Sequence, residues 1–168
     1  MTSVRRATPN DAGALVELAE NVGREEGRWI LGTGPWRPVA DERRYLRTIQ
    51  GYPDAAVFVA EDTGRIVGRL SLARDPHPAS GHVADLGLMV AAGYRRRGIG
   101  RALLEAAAGW ARRHGVSKLE LHVFPHNEPA IGLYESFGFV QEGYRRRHYR
   151  RGEEYLDAIL MAFATLPE

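Results

Sequence analysis

Residues 118–123 (Lys-Leu-Glu-Leu-His-Val) alternate apolar and polar, which predicts a strand with Leu119, Leu121 and Val123 on one face and Glu120 and His122 on the other. Similar reasoning along the chain gives a short strand over 4–7, a buried strand over 55–60 and further strands of the same meander over 66–73 and 82–90. Asp62-Thr63-Gly64-Arg65 makes a hairpin turn between the strands over 55–60 and 66–73. Helical spacing appears in four places. Thr8 caps a first helix, with Pro9 at its opening position and Ala12, Leu15, Val16 and Ala19 as an inner stripe. Asp41 caps a second helix through Ile49, with Tyr45, Leu46 and Ile49 facing inward. The third runs over 98–114, with Leu103, Leu104, Ala107, Ala108 and Ala111 inward and Gly115 as its stop; the fourth runs over 128–137 between Asn127 and Gly138. Two closing strands, 139–147 and 155–162, turn near Arg151-Gly152. Strand 82–90, the third helix and strand 118–123 form a right-handed parallel crossover, and the other pairings read as antiparallel.

The exception to this regularity is 24–40, where Trp29, Trp36, Pro35, Pro38 and three glycines fall in an irregular segment. Its aromatics either cover an edge of the core or line a pocket.

Composition narrows the class. A chain of 168 residues with 44% hydrophobic and 26% charged positions is expected to form one α/β domain spanning 1–168. No stretch approaches the ~20 apolar residues of a membrane span, and MTSVRRATPN contains no apolar signal core, so a cytoplasmic protein is expected. The absence of cysteine removes disulfides, thiolate metal sites and a cysteine nucleophile, and no metal is expected. The formal charge is +2, almost all of the basic excess being arginine because Lys118 is the only lysine. No basic face with interleaved aromatics points to nucleic acid.

The stretch 86–104 (LGLMVAAGYRRRGIGRALL) passes from strand to turn to helix. Arg95, Arg96, Arg97, Gly98, Ile99, Gly100 and Arg101 thereby fall where a helix presents unpaired amide N–H groups, the makings of an anion site. A dinucleotide fingerprint would need glycine or alanine where Leu103 stands, and a Walker A loop would need Lys-Ser/Thr where Arg101-Ala102 stands. An ordinary strand-to-helix turn with solvated arginines is the alternative reading.

That loop, preceded by Leu88-Met89-Val90, resembles the Gln/Arg-x-x-Gly-x-Gly/Ala acetyl-CoA loop of the GCN5-related N-acetyltransferases (GNAT). A second segment, Asn127-Glu128-Pro129-Ala130-Ile131-Gly132-Leu133-Tyr134-Glu135-Ser136-Phe137-Gly138-Phe139, resembles the same family's Asn-x-x-Ala-x-x-Leu-Tyr-x-x-x-Gly-Phe signature, at the expected distance and with a strand between. From about His82 onward the chain is similar to bacterial acetyltransferases acting on amino acids and related amines. The resemblance implies a mixed, mostly antiparallel sheet of 6–7 strands flanked by about four helices. It implies acetyl-CoA as co-substrate and a small-molecule amine as acceptor, attacked directly in a ternary complex. It further implies that Leu88, Met89 and Val90 hold the pantetheine arm and the carbonyl oxygen, that residues 95–101 hold the pyrophosphate, that Asn127 binds CoA, and that Tyr134 protonates the leaving sulfur. A phenol of pKa about 10 does this most easily if its own pKa does not rise.

Many relatives carry Glu where this chain has His122, so the proton acceptor is His122 or, second, Glu120; Asp85 and His82 are weaker candidates. His122 reads equally as a satisfied structural histidine. Arg145, Arg146, Arg147, Arg150 and Arg151 read either as a solvated hairpin paired with Glu153, Glu154 and Asp157 or as a carboxylate-binding cluster. A peptide N-terminal acetyltransferase and a non-catalytic acetyl-CoA-binding module are the rival functions. Acceptor identity and oligomeric state, a homodimer included, stay open.

Overall fold

The computed structural model describes residues 1–30 and 36–166. Pro35, Gly32 and Gly34 of the irregular segment lie outside these.

Among the described residues, seven strands build a single sheet: β1 (Thr2–Arg6), β2 (Ala55–Asp62), β3 (Arg65–Arg74), β4 (Val83–Val90), β5 (Lys118–Val123), β6 (Val140–Arg151) and β7 (Glu154–Ala164), in the order β1-β2-β3-β4-β5-β7-β6. Every pairing is antiparallel except that of β4 with β5. Four helices flank it: α1 (Ala12–Gly23), α2 (Val39–Gln50), α3 (Ile99–Arg113) and α4 (Glu128–Phe137). None of the described helices is long and apolar enough to cross a membrane.

The period-two patterns sort the core into two layers. Leu70, Leu72, Leu86, Leu119 and Leu121 point to the α3 and α4 side, where they meet Ile99, Leu103, Leu104, Trp110 and Tyr134. Val57 and Val59 point the other way and meet Leu15, Leu18, Val22, Leu46 and Ile49 of α1 and α2. Both faces of the sheet are thus covered, so a polar side chain on the α1/α2 face is enclosed where alternation alone would leave it in water.

Two helix starts differ from the sequence expectation. The turn Pro9–Asp11 is 3-10 before α1 proper, and the Thr8 N–H donates to Asp11 Oδ2 at 2.8 Å. Arg5 clamps Asp11 from β1 at 2.8 and 2.9 Å and holds its carboxyl below the usual range. Asp41 does not cap α2. The Pro38 carbonyl accepts from the N–H groups of Asp41 and Glu42, so the helix begins at Val39 and Asp41 sits inside the first turn, bonded to Arg44. Acidic side chains still favour that end of the helix dipole.

What positions a site is the parting of β4 and β5. They pair only through Val83↔Lys118, Ala84↔Leu119 and Asp85↔Glu120; beyond that, 86–90 and 121–123 diverge. β4 stays bonded to β3 up to Val90, so alternate backbone N–H and C=O groups of 86–90 face an open split.

Candidate active site

The split opens into a cavity of about 1010 Å³ that joins the start of α3 to the α1/α2 face of the sheet. Gly98 caps α3 with φ of 80°, and nothing lies within 4 Å of where its Cβ would project. Glycine is needed there for the left-handed turn, and the open space lets a phosphate approach the first amides of the helix. At Gly100 a Cβ would stand 2.6 Å from Leu133 Cδ2, so this glycine lets α4 close against α3. Leu88, Met89, Val90, Gly98, Ile99 and Gly100, to which the family resemblance assigns pantetheine and pyrophosphate contacts, all line the cavity.

The arginines divide. Arg95 is held by Glu25 at 2.6 and 2.8 Å and donates its Nε to the Val90 carbonyl at 3.0 Å, which ties the loop to the end of α1. Arg97 lies over the Tyr94 ring and is not among the cavity-lining residues. Arg96, which itself adopts φ of 61°, and Arg101 line the cavity, as does Arg95. Arg101 rests over Phe137 and near Glu105.

On the far wall, Tyr134 is buried with its ring tilted against Phe139. Burial raises its pKa, contrary to the condition under which donation is easiest, so the phenol stays protonated throughout the working range. It can pass its proton only to a sulfur made comparably basic by the same dry surroundings. Asn127 caps α4 by accepting from the Ala130 N–H at 3.3 Å, which leaves its NH2 group as a donor in the cavity wall.

The base candidates separate clearly. His122 lines the cavity; Glu120, Asp85 and His82 do not. Asp85 and Glu120 are paired at the closed end of the split, where burial and then the neighbouring Glu120 push the Asp85 carboxyl up to about 6, although the residue keeps a solvent-facing side. Lys118 flanks Glu120 at 3.9 Å. His122 has its pKa lowered by burial, then by Arg145 and His148, so the neutral ring prevails at pH 7.

Sequence reasoning missed Tyr149, whose hydroxyl lies 2.7 Å from His122 Nδ1 and which also lines the cavity. It reaches that place through a bulge. Pairing of β6 with β7 jumps from Arg145↔Ala158 to Tyr149↔Leu156, Arg147 takes φ of 50°, and its N–H donates to Asp157. Period-two reading cannot see such a shift, and the His-Tyr dipeptide amid arginines was the one available hint.

The arginine run of this hairpin is largely engaged. Arg150 bonds Glu153 and the Gly152 carbonyl, Arg151 bonds the Ile30 carbonyl, and Arg147 lies over Tyr155. None of Arg145, Arg146, Arg147, Arg150 and Arg151 lines the cavity. Trp29 and Trp36 do, Trp29 donating to Glu25 at 2.9 Å and stacking on His126. Among the described residues no cluster of three His, Cys, Asp or Glu could hold a metal ion.

Comparison with known proteins gives a consistent answer. Residues 24–139 match the model of the acetyltransferase (GNAT) family. The chain is 33% identical over 129 residues to the L-amino acid N-acetyltransferase AaaT of Escherichia coli, covering 74% of this chain and 78% of that protein. It is 34% identical over 145 residues to the N-alpha-acetyltransferase RimI of Mycobacterium tuberculosis, covering 84% and 85%. A GNAT-family acetyltransferase structure from Streptococcus pneumoniae superposes with a TM-score of 0.87 at 28% identity, over 98% of this chain and 99% of that one.

Proposed function

Because this chain belongs to the GNAT acetyltransferase family, we propose that it transfers acetyl from acetyl-CoA to a primary amine of a small molecule, by direct attack within a ternary complex. The observation that carries this reading is a single cavity that joins three features: the amide-lined start of α3, the unpaired edge of β4 and the pair Tyr134 and His122.

The residues fit the coenzyme. Gly98 leaves room over free amides for a pyrophosphate, Arg96 and Arg101 add charge, and the β4 edge can bond pantetheine amides as an added strand would. Acetyl-CoA supplies an acyl group on a good leaving thiolate. N–H groups of 88–90 offer hydrogen bonds to the carbonyl oxygen as negative charge builds on it. The neutral His122 ring accepts the proton lost by the attacking amine, directly or through water, as the new C–N bond forms. Tyr134 protonates the sulfur as the C–S bond breaks. His122 can accept at Nε2 only if its Nδ1 carries hydrogen and donates to the Tyr149 oxygen, so Tyr149 is a positioning residue that fixes the tautomer.

Two outcomes follow. Tyr149→Phe should lower kcat by about 3- to 10-fold with little change in acetyl-CoA affinity, measured by thiol release and calorimetry. In the native enzyme kcat/KM should fall as pH drops through the lowered pKa of His122, because protonation removes the acceptor; Asp85→Asn should leave that limb in place, whereas His122→Gln should abolish it.

A peptide N-terminus is the second reading, favoured by the likeness to an N-alpha-acetyltransferase. Calorimetry with acetyl-CoA, followed by a thiol-release screen over amino acids, polyamines, aminoglycosides and peptides, tests both readings. Thiol release with none of these acceptors would refute acetyl transfer to amines of these classes.

A further inference from the structure

Among the residues lining the cavity, Arg69 has no part in the chemistry above. It is 4% exposed and stands on β3, on the sheet face covered by α1 and α2. Its Nη1 donates to Glu42 Oε1 at 2.7 Å, and Glu42 is fully buried. The other Glu42 oxygen takes Arg37 Nε at 3.1 Å and Trp36 Nε1 at 3.4 Å. Two guanidinium groups therefore share one carboxylate, the exposed Arg37 and the buried Arg69, whose guanidinium also lies over the Trp36 ring. Glu42 accepts one of Arg69's five N–H donors, and a planar guanidinium is built for two-point contact with a carboxylate.

Register fixes where this charge stands. Arg69 pairs with Met89 and Ser71 with Gly87, while Asp85 pairs with Glu120. Two residues beyond that last pair stand Gly87 and His122, both lining the open split. Ser71 and Gly87 thus share one row across β3 and β4, and Arg69 with Met89 occupies the next row toward the open end of the split. Adjacent strands are about 4.8 Å apart, so an arginine side chain on β3 reaches over β4 toward an amine held beside β5. Trp29, Ile30, Trp36 and Phe124 supply an apolar surround.

We propose that Arg69, backed by Glu42, is the carboxylate-binding residue of the acceptor site, and that the acceptor is a free α-amino acid with an apolar side chain. This rests on the acetyltransferase reading and deepens it. The carboxylate sits on Arg69, the α-amine turns toward the split beside His122, and the side chain lies among the aromatic walls. A peptide N-terminus brings a neutral amide to the same place, which cannot make the charged two-point contact that a carboxylate makes with the guanidinium. The role that the hairpin arginines 145–151 could have filled falls instead to a strand position in the cavity wall.

The test compares leucine with leucinamide at saturating acetyl-CoA in the native enzyme, in the paired variant R69M/E42Q and in R69K. The amide's amine loses its proton more readily, so intrinsic reactivity favours the amide and cannot produce a preference for the acid. The native enzyme should favour leucine in kcat/KM by about 10²-fold. That ratio should fall toward one in R69M/E42Q, where both charges are removed together and calorimetric affinity for acetyl-CoA reports an intact fold. If that variant loses coenzyme binding, R69K decides: the ratio should drop at least about 10-fold when the planar fork is lost. A native ratio near one, or a ratio that survives either replacement in a protein still binding acetyl-CoA, would overturn the assignment. Should no amine be acetylated at all, the acetyl-transfer reading fails. The carboxylate site is then judged by titrating leucine and leucinamide into the CoA-loaded protein, where heat from the acid alone upholds it and equal or absent heats reject it.

Discussion

Tyr134→Phe is expected to lower kcat by about 10²- to 10³-fold while the Kd for acetyl-CoA stays within about twofold, as rapid-quench assays and calorimetry would report. The hydroxyl is the only polar atom removed, and the ring, packed on Phe139 within the larger core layer, keeps its contacts, so melting temperature should change little. The size of the effect reflects the leaving group. Without a donor, sulfur departs as a thiolate into a cavity wall that stabilises negative charge poorly. Burial holds the phenol protonated, so no limb of the native pH profile should belong to Tyr134 below about pH 10. A non-catalytic coenzyme-binding protein would show no turnover in either form.

Gly98→Val is expected to weaken acetyl-CoA binding by at least about 10²-fold. The residue sits at φ of 80°, where a β-branched side chain costs about 1–3 kcal/mol, and the melting temperature should fall by several degrees for a chain of this size. Nothing of the protein lies within 4 Å of the added Cβ, so the new side chain would project into open cavity and occupy the space assigned to phosphate. Gly100→Val differs in kind. Its Cβ meets Leu133 at 2.6 Å, so it should first displace α4 and with it Tyr134, lowering kcat as well as affinity. Titration calorimetry of the two variants, together with kcat, separates a blocked phosphate site from a displaced helix.

Strand and helix identity was legible wherever the apolar period was clean. Leu119, Leu121 and Val123 mark β5, and Asn127 with Gly138 bound α4 to the residue. Gly98 and Gly100 stand out in the sequence at a strand-to-helix turn, and the structure adds that the first borders open space while the second lets α4 approach α3. Three features were not legible, each because it depends on what a distant element covers. Arg69 occupies a polar position in an alternating strand and so reads as solvated, but α1 and α2 close over that face. Glu42 looks like an ordinary charge in a first helical turn, and only the approach of β3 buries it. Tyr149 is brought to His122 by a bulge that puts two extra residues into β6 and so shifts its register against β7. The choice between His122 and Glu120 also could not be made along the strand, since both share a face; it is the parting of β4 from β5 after Asp85 and Glu120 that leaves His122 in the cavity and Glu120 outside it.

The central claim is that one cavity binds acetyl-CoA and lets an amine take the acetyl group directly. A single-turnover experiment, with protein in excess over acetyl-CoA and free thiol measured with and without a free amino acid, addresses it without intermediaries. The account predicts thiol release only when the amine is present, in one-to-one proportion with N-acetylated product. A burst of thiol before any amine is added, or no thiol with amines at any concentration, would contradict it.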